Sequence, residues 1–231
     1  MQEAYFGEIQ TICQTACFAQ KGKSFFRVWG DGVLQVIKYE YERKFRAYEI
    51  LIGLFSMYDQ LPQKRFTAGG CLAEYSVVNC YEQNDLPQAF AHDMAVQIGM
   101  LRERVIPWLN TIDTQKKLIT AIRTLDRRWN DGLKIGPYLA CGEGNHAKKV
   151  VKEILQQNGF GMPYKEAMKK IPIDELLSRL ARDGTDFYAL VGLIDAGDSA
   201  IQTHLKGNYE RNMKYAAFCV QTQKKTDSTW I

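Results

Sequence analysis

The sequence predicts an α+β fold, in which an antiparallel sheet of about four strands is flanked by helices and followed by an all-α C-terminal helical part. Three observations support this prediction. Apolar, β-rich runs are concentrated between residues 18 and 58, with a glycine-rich turn between the first two. Helical spacing of apolar residues precedes and follows that region. After a group of turn-forming residues at 130–144, all remaining patterns are helical.

The centre of the predicted sheet is a hairpin. Residues 25–29 (FFRVW) and 33–39 (VLQVIKY) are separated by Gly30-Asp31-Gly32, and glycine readily adopts the positive φ of a tight turn. We expect a two-residue turn, either Gly30-Asp31 or Asp31-Gly32. Because side chains alternate along a strand, either choice places Arg27 and Gln35 on opposite faces of the sheet. A three-residue loop would break this arrangement.

Both predicted faces of the hairpin are rich in apolar residues, whereas a sheet that is wet on one side shows cleaner alternation. We therefore expect helices to cover part of each face. Arg27 and Gln35 are the polar exceptions. They are interpreted as ordinary hydrogen-bonding residues or residues near the sheet margin, and they are also candidates for contact with a ligand.

The remaining patterns place the other elements. Residues 48–55 and 74–81 are the third and fourth predicted strands. Helices are expected at residues 3–17, from Asp85 with an end or a kink at Pro107, and after Asp113, because aspartate caps helices and proline ends or kinks them. Asn145 is the expected cap of the first C-terminal helix, and further helices are expected from 163, 174, 185 and 199. We divide the chain into an α+β sheet domain at 1–130 and a helical region at 131–231, either separate or packed as one unit.

Composition and charge narrow the functional classes. The first 130 residues carry 16 basic and 14 acidic residues and the rest carry 14 and 12, so each part has a net charge of +2. A dedicated nucleic-acid domain would concentrate positive charge, so a nucleic-acid partner is not expected. No apolar run approaches the roughly 20 residues that span a bilayer. The N-terminus lacks signal-peptide features, and we expect a cytoplasmic protein with no membrane contact.

The six cysteines are predicted to be free thiols in that compartment. The sequence has no CxxC pair and no Cys/His cluster. We therefore predict no metal site and no cofactor.

The order of the N-terminal motifs resembles the bacterial domain-of-unknown-function family 4304 over roughly residues 5–125. A helix ends in Ala16-Cys17-Phe18, followed by Lys21-Gly22-Lys23 and the runs FFR at 25–27, VLQVI at 33–37, ILIGL at 50–54 and IPWL at 106–109. Glu40 stands where the family tends to have glutamine, and Leu51 where asparagine is common. The resemblance implies a fold and brings no established activity.

Candidate chemistry is sparse. Glu40 and Glu49 lie on neighbouring predicted strands, and a carboxylate pair is one arrangement for acid–base work. His146 follows the Gly142-Glu143-Gly144 loop and opens a helix, where backbone N–H groups can hold an anion. The loop lacks phosphate-binding spacing. The binding candidates are therefore Arg27, Gln35, Glu40 and His146, and no residue is assigned a catalytic role.

Three functional hypotheses follow. The first is a non-catalytic binding or protein-interaction module, of which an immunity-type protein that neutralises a toxin is one form. The second is an enzyme with an unrecognised site near the Gly142–His146 loop. The third is a weak nucleic-acid binder. The partner and the oligomeric state are not readable from the sequence.

Overall fold

The predicted hairpin forms the middle of a five-stranded antiparallel sheet. The computed structural model of the chain describes residues 2–42, 47–59, 61, 75–81, 87–125, 135–157 and 192–226. The strands are β1 (Ala19–Lys21), β2 (Ser24–Trp29), β3 (Val33–Glu42), β4 (Ala47–Ser56) and β5 (Tyr75–Tyr81). They lie side by side in chain order. The four predicted strands are present, and the three-residue β1 adds a fifth at the edge.

Helices account for most of the remaining described residues. They are α1 (Gln2–Thr15), α2 (Pro87–Met100), α3 (Ile106–Thr111), α4 (Gln115–Leu125), α5 (Ile135–Ala140), α6 (Gly144–Gln157) and α7 (Asp198–Thr226), with a further helical turn at 192–195. The α+β class and the helical C-terminal part are thus confirmed for the described residues. The predicted helices from 163, 174 and 185 fall largely or wholly outside them.

A π-helical turn, Leu101–Val105, joins α2 to α3. The N–H of Ile106 donates to the carbonyl of Leu101, five residues back. Pro107 follows in the first turn of α3. Proline has no N–H and its ring crowds the preceding turn, so widening the helix here lets the chain continue. The predicted end of the helix at Pro107 is therefore wrong, because helical structure continues to Thr111; the predicted kink stays a prediction.

The two-residue turn predicted for the hairpin is wrong. Trp29 pairs with Val33, Val28 with Leu34 and Arg27 with Gln35, which makes Gly30-Asp31-Gly32 a three-residue loop. Because pairing shifts by one residue, Arg27 and Gln35 lie directly opposite each other on the same face. The structure thus brings together two residues that the sequence argument had separated.

Hydrogen bonds to Asp113, just before α4, and to Gln115, its first residue, stabilise the three-residue loop. The N–H of Asp31 donates to the carbonyl of Asp113 at 2.6 Å, and the side-chain amide of Gln115 donates to the carbonyl of Asp31. Gly30 has φ +51°, and a Cβ there would lie 2.0 Å from the Asp113 carbonyl oxygen. A residue with a side chain would not fit at Gly30, and the partners of the loop lie about 80 positions away in the sequence.

Helix α1 ends in a Schellman motif without glycine. The N–H of Phe18 donates to the carbonyl of Cys13, and the N–H of Cys17 donates to that of Gln14. Cys17 occupies the left-handed position with φ 64°. Glycine normally fills this position because a Cβ is disfavoured there. Cys17 is therefore a locally strained residue.

Helices cover both faces of the sheet, as the apolar pattern predicted. The face that carries Phe25 and Ile37 packs against α1, α2, α3 and α4. The face that carries Phe26, Leu34 and Phe55 packs against α7 through Ala216, with Tyr209 and Tyr215 alongside. A third cluster joins the helices to one another, with Ile119 from α4, Tyr138 from α5, Val151 from α6 and Leu205 from α7 among its members. The N-terminal and C-terminal parts thus share buried contacts, while a domain boundary near residue 130 lies outside the described residues and stays a prediction.

Candidate functional site

Arg27 lies in the middle of β2 with its guanidinium bonded to three separate parts of the fold. Its Nε donates to Oε1 of Gln35 at 2.9 Å, Nη1 donates to the carbonyl of Ala16 at 2.7 Å, and Nη2 donates to Oδ1 of Asn110 at 2.6 Å. Its Cζ lies 4.4 Å from the ring centroid of Phe18 and 4.1 Å from that of Trp29. Burial lowers the pKa of Arg27, but arginine stays protonated at any physiological pH.

Gln35 lies opposite Arg27 and is fully buried. Its amide nitrogen donates to the carbonyl of Leu109 at 2.8 Å and to that of Ile112 at 3.2 Å. Both amide protons and the oxygen of Gln35 are therefore used within the fold. We call Arg27, Gln35 and their partners Ala16, Leu109 and Asn110 the Arg27–Gln35 clamp, since it fastens the sheet to the end of α1 and to α3.

Glu40 lies on the opposite face of β3, directly across from Glu49 on β4. The backbone register therefore pairs the two glutamates whose approach was predicted. Lys38, two residues away on the same face, forms an ion pair with Glu40, and both side chains are partly exposed. A partly exposed ion pair of this kind contributes little to stability.

His146 lies near the start of α6 and is exposed. Its Nδ1 is 3.8 Å from a carboxylate oxygen of Glu143, and its ring stacks on Tyr138 with centroids 5.0 Å apart. The Tyr138 hydroxyl in turn accepts a bond from Arg123 at 2.5 Å. Helix α6 begins at Gly144, so the predicted cap at Asn145 lies inside the helix; the carbonyl of Glu143 accepts the first helical bonds instead.

Cys141 is the nearest candidate nucleophile in sequence to His146. Burial, followed by the charges of Glu143 and Asp31, raises the pKa of its thiol. The thiolate is the reactive form of cysteine, so this environment disfavours activation. Within the described ranges, no group of three or more His, Cys, Asp or Glu side chains is arranged to hold a metal ion.

A second polar cluster, which the sequence analysis missed, lies where the turn after β4 meets α5 and α7. Asp59 accepts a bond from the N–H of Gly136 at 2.7 Å. Asn212 donates to the carbonyls of Met57 at 2.9 Å and Asp59 at 2.8 Å. Asn208 donates to the carbonyl of Tyr58 at 2.8 Å. We call this cluster the Asp59 junction.

His204 extends the junction by one helical turn, because residues 204, 208 and 212 share one face of α7. The Asn208 amide lies 2.9 Å from Nε2 of His204, and the Asn208 oxygen accepts from Arg211 at 2.9 Å. The Asn208 nitrogen is a donor, so Nε2 of His204 is the acceptor and the ring is neutral. Burial, together with the charge of Arg211, lowers the pKa of His204 in agreement with this tautomer. The His-x₃-Asn-x₃-Asn spacing was the available signal in the sequence.

Comparisons of the chain with models of protein families, with curated proteins and with solved structures find no match. The resemblance to the domain-of-unknown-function family 4304 therefore stays a prediction. In the part of the chain that is described, no helix is both long and apolar enough to cross a membrane.

Proposed function

We propose that the chain is a non-catalytic protein-interaction module, with toxin neutralisation by an immunity-type protein as one form of that function. The observation that carries the proposal is the Arg27–Gln35 clamp. It engages the two most buried polar side chains of the hairpin in bonds within the fold. Those residues are therefore better suited to shaping a surface than to reacting with a substrate.

The surface they shape includes Trp29 and Asn110, which we call the Trp29 surface. The indole of Trp29 stacks on the Arg27 guanidinium, and its Nε1 donates to the carbonyl of Asn110 at 3.2 Å. Trp29 is only partly buried, and Asn110 is exposed. Tryptophan is enriched at the energetic centres of protein interfaces, and a side chain that is already held in place loses little entropy on binding.

The charge pattern supports this proposal over nucleic-acid binding. Lysines on three helices have acidic neighbours: Lys117 bonds Asp113, Lys148 bonds Asp195, and Lys206 lies 4.0 Å from Glu210. Nucleic-acid surfaces instead present unneutralised lysine and arginine to the phosphates. The enzyme alternative near the Gly142–His146 loop has weaker support, because the Cys141 thiol is not activated there.

Affinity capture from native lysate tests the proposal, with titration of any captured protein against purified variants. We expect a stoichiometric protein partner whose affinity falls at least about tenfold in Trp29→Ala and is partly restored in Trp29→Phe. The matched control is Met213→Ala, which removes an exposed apolar side chain from α7, the helix on the other face of the sheet. Circular dichroism establishes that each variant is folded.

The results of the capture experiment test the Trp29 surface and the interaction module separately. A partner that binds Trp29→Ala and the wild type equally tightly would show that the Trp29 surface is not the contact. Capture of a nucleotide or metabolite in place of a protein would refute the interaction module and favour a ligand-binding site or an enzyme.

A further inference from the structure

The Asp59 junction contains a structural feature that the proposed function does not explain. The side chain of Asp59 bonds α5 through Gly136, while its backbone carbonyl accepts from Asn212 on α7. Gly136 is closely fitted to it: a Cβ at that position would lie 2.3 Å from Oδ1 of Asp59. Asp59, a single residue in the turn that follows β4, therefore holds two helices of the C-terminal part against the sheet.

Two acceptors at this junction lack a donor within the described part of the chain. Oδ2 of Asp59 and Oδ1 of Asn212 are both buried, and neither has a hydrogen-bond partner among the described residues. Asn212 itself is fully buried. A buried carboxylate without a compensating charge is strongly disfavoured, and each unpaired buried acceptor costs about 1–3 kcal/mol. A single proton on Asp59 would remove the negative charge and supply the missing donor.

We propose that Asp59 is a neutral carboxylic acid in the folded chain and donates from Oδ2 to Oδ1 of Asn212, so that the junction is a latch that opens when this proton is lost. Ionisation leaves two buried acceptors at the junction, one of them charged, and the carboxylate requires water. The turn at Met57–Asp59 then separates from α5 and α7. This proposal is independent of the Trp29 surface.

The surroundings of Asp59 agree with a neutral acid. Burial raises its pKa from the usual 3.8 to about 8, and the Gly136 N–H is the opposing influence. The nearby cation of α7, Arg211, bonds Asn208, and His204 is neutral. Asp31 accepts from the Tyr58 hydroxyl, the Tyr138 hydroxyl accepts from Arg123, and the ring of Tyr209 packs on that of Tyr58. Helix α7 also carries Lys206 and Glu210, which lie 4.0 Å apart, and Lys214 and Tyr215. None of these groups contributes to the pKa of Asp59.

Unfolding of the wild type and Asp59→Asn across pH tests the latch. Asparagine keeps an oxygen for the Gly136 N–H and offers an amide donor to Asn212, without a titrating group. The folded wild type holds one proton that the unfolded chain has lost between pH 4 and pH 8. We expect its unfolding equilibrium constant to rise about tenfold per pH unit relative to that of Asp59→Asn over this window. Parallel pH dependences would overturn the proposal.

Infrared spectroscopy of the wild type tests it without any variant. At pH 6.5 the exposed carboxyls are ionised. A protonated Asp59 adds a carboxylic-acid C=O band, which should disappear with a midpoint near pH 8. Absence of the band would overturn the proposal. A second result would also overturn it. If sodium, potassium or calcium chloride stabilised the wild type but not Asp59→Asn, and removed the pH dependence of unfolding, a bound cation would occupy the site of the proton.

Discussion

Replacing Arg27 and Gln35 by methionine, singly and together, should show that the two side chains are energetically coupled. Methionine keeps much of the side-chain volume and removes the polar atoms. In Gln35→Met, the Nε–H of Arg27 and the carbonyls of Leu109 and Ile112 lose their partner. At about 1–3 kcal/mol for each unpaired buried group, with partial relaxation, we expect a loss of about 3–5 kcal/mol.

Arg27→Met removes the guanidinium and leaves the acceptors of Gln35 and Ala16 unpaired, while Asn110 is exposed and can bind water. Removal of a buried charge offsets part of this loss, so we expect about 2–3 kcal/mol. The double variant loses the shared Arg27–Gln35 bond only once. Its destabilisation should therefore fall short of the sum by about 1.5–3 kcal/mol, the range of a hydrogen bond to a charged group.

Urea unfolding followed by fluorescence and circular dichroism measures the four free energies, and coincident transitions justify two-state analysis. The control cycle pairs Arg27→Met with Ile201→Val, which lies in the separate helical cluster. That pair should be additive within about 0.5 kcal/mol. If Arg27 and Gln35 were equally additive, the three-residue loop and the shared face would be refuted.

Three further changes test local features. In urea unfolding, Gly30→Ala should lower the free energy of unfolding by about 2 kcal/mol more than Gly22→Ala does. Both glycines have positive φ, but only Gly30 lies against Asp113. The loop must therefore shift in Gly30→Ala, and the bond from the Asp31 N–H to the Asp113 carbonyl is lost. Equal losses would contradict this. Cys17→Gly should stabilise the chain by about 1 kcal/mol by relieving the left-handed position, and a thermal melt that is unchanged or lower would count against that strain. The wild type should lose stability below about pH 6.5, because His204 takes up a proton in the unfolded chain at a higher pH than in the folded chain. His204→Gln should lose less. If the free energy of unfolding changed equally between about pH 7.5 and pH 5 in the two proteins, this role of His204 would be disproved.

The hairpin shows how far local patterns reach. Apolar, β-rich runs and a glycine-rich turn located β2 and β3 in the sequence, because strand formation depends on near neighbours. The loop length depends on Asp113 and Gln115, which are far away in the chain. A shift of one residue moved Gln35 to the face of Arg27, so the clamp was not predictable even though both residues had been selected as candidates.

The protonation state of Asp59 was likewise not predictable from nearby residues in the sequence. Asp59 in the sequence looks like any polar residue after a strand, and nothing adjacent marks it as buried. Its environment arises when α5 and α7 close over the turn. Burial is a property of the assembled layers, so a pKa near 8 cannot be assigned from sequence neighbours.

The sequence alone determined the fold class, the order of the main strands and helices, and the apolar character of both sheet faces, because periodicity and capping are local properties. The tertiary structure decided the hairpin register, the clamp at Arg27 and the enclosure of Asp59. Each of these depends on contacts between segments distant in the chain, where a one-residue shift or a covering helix changes which polar groups meet.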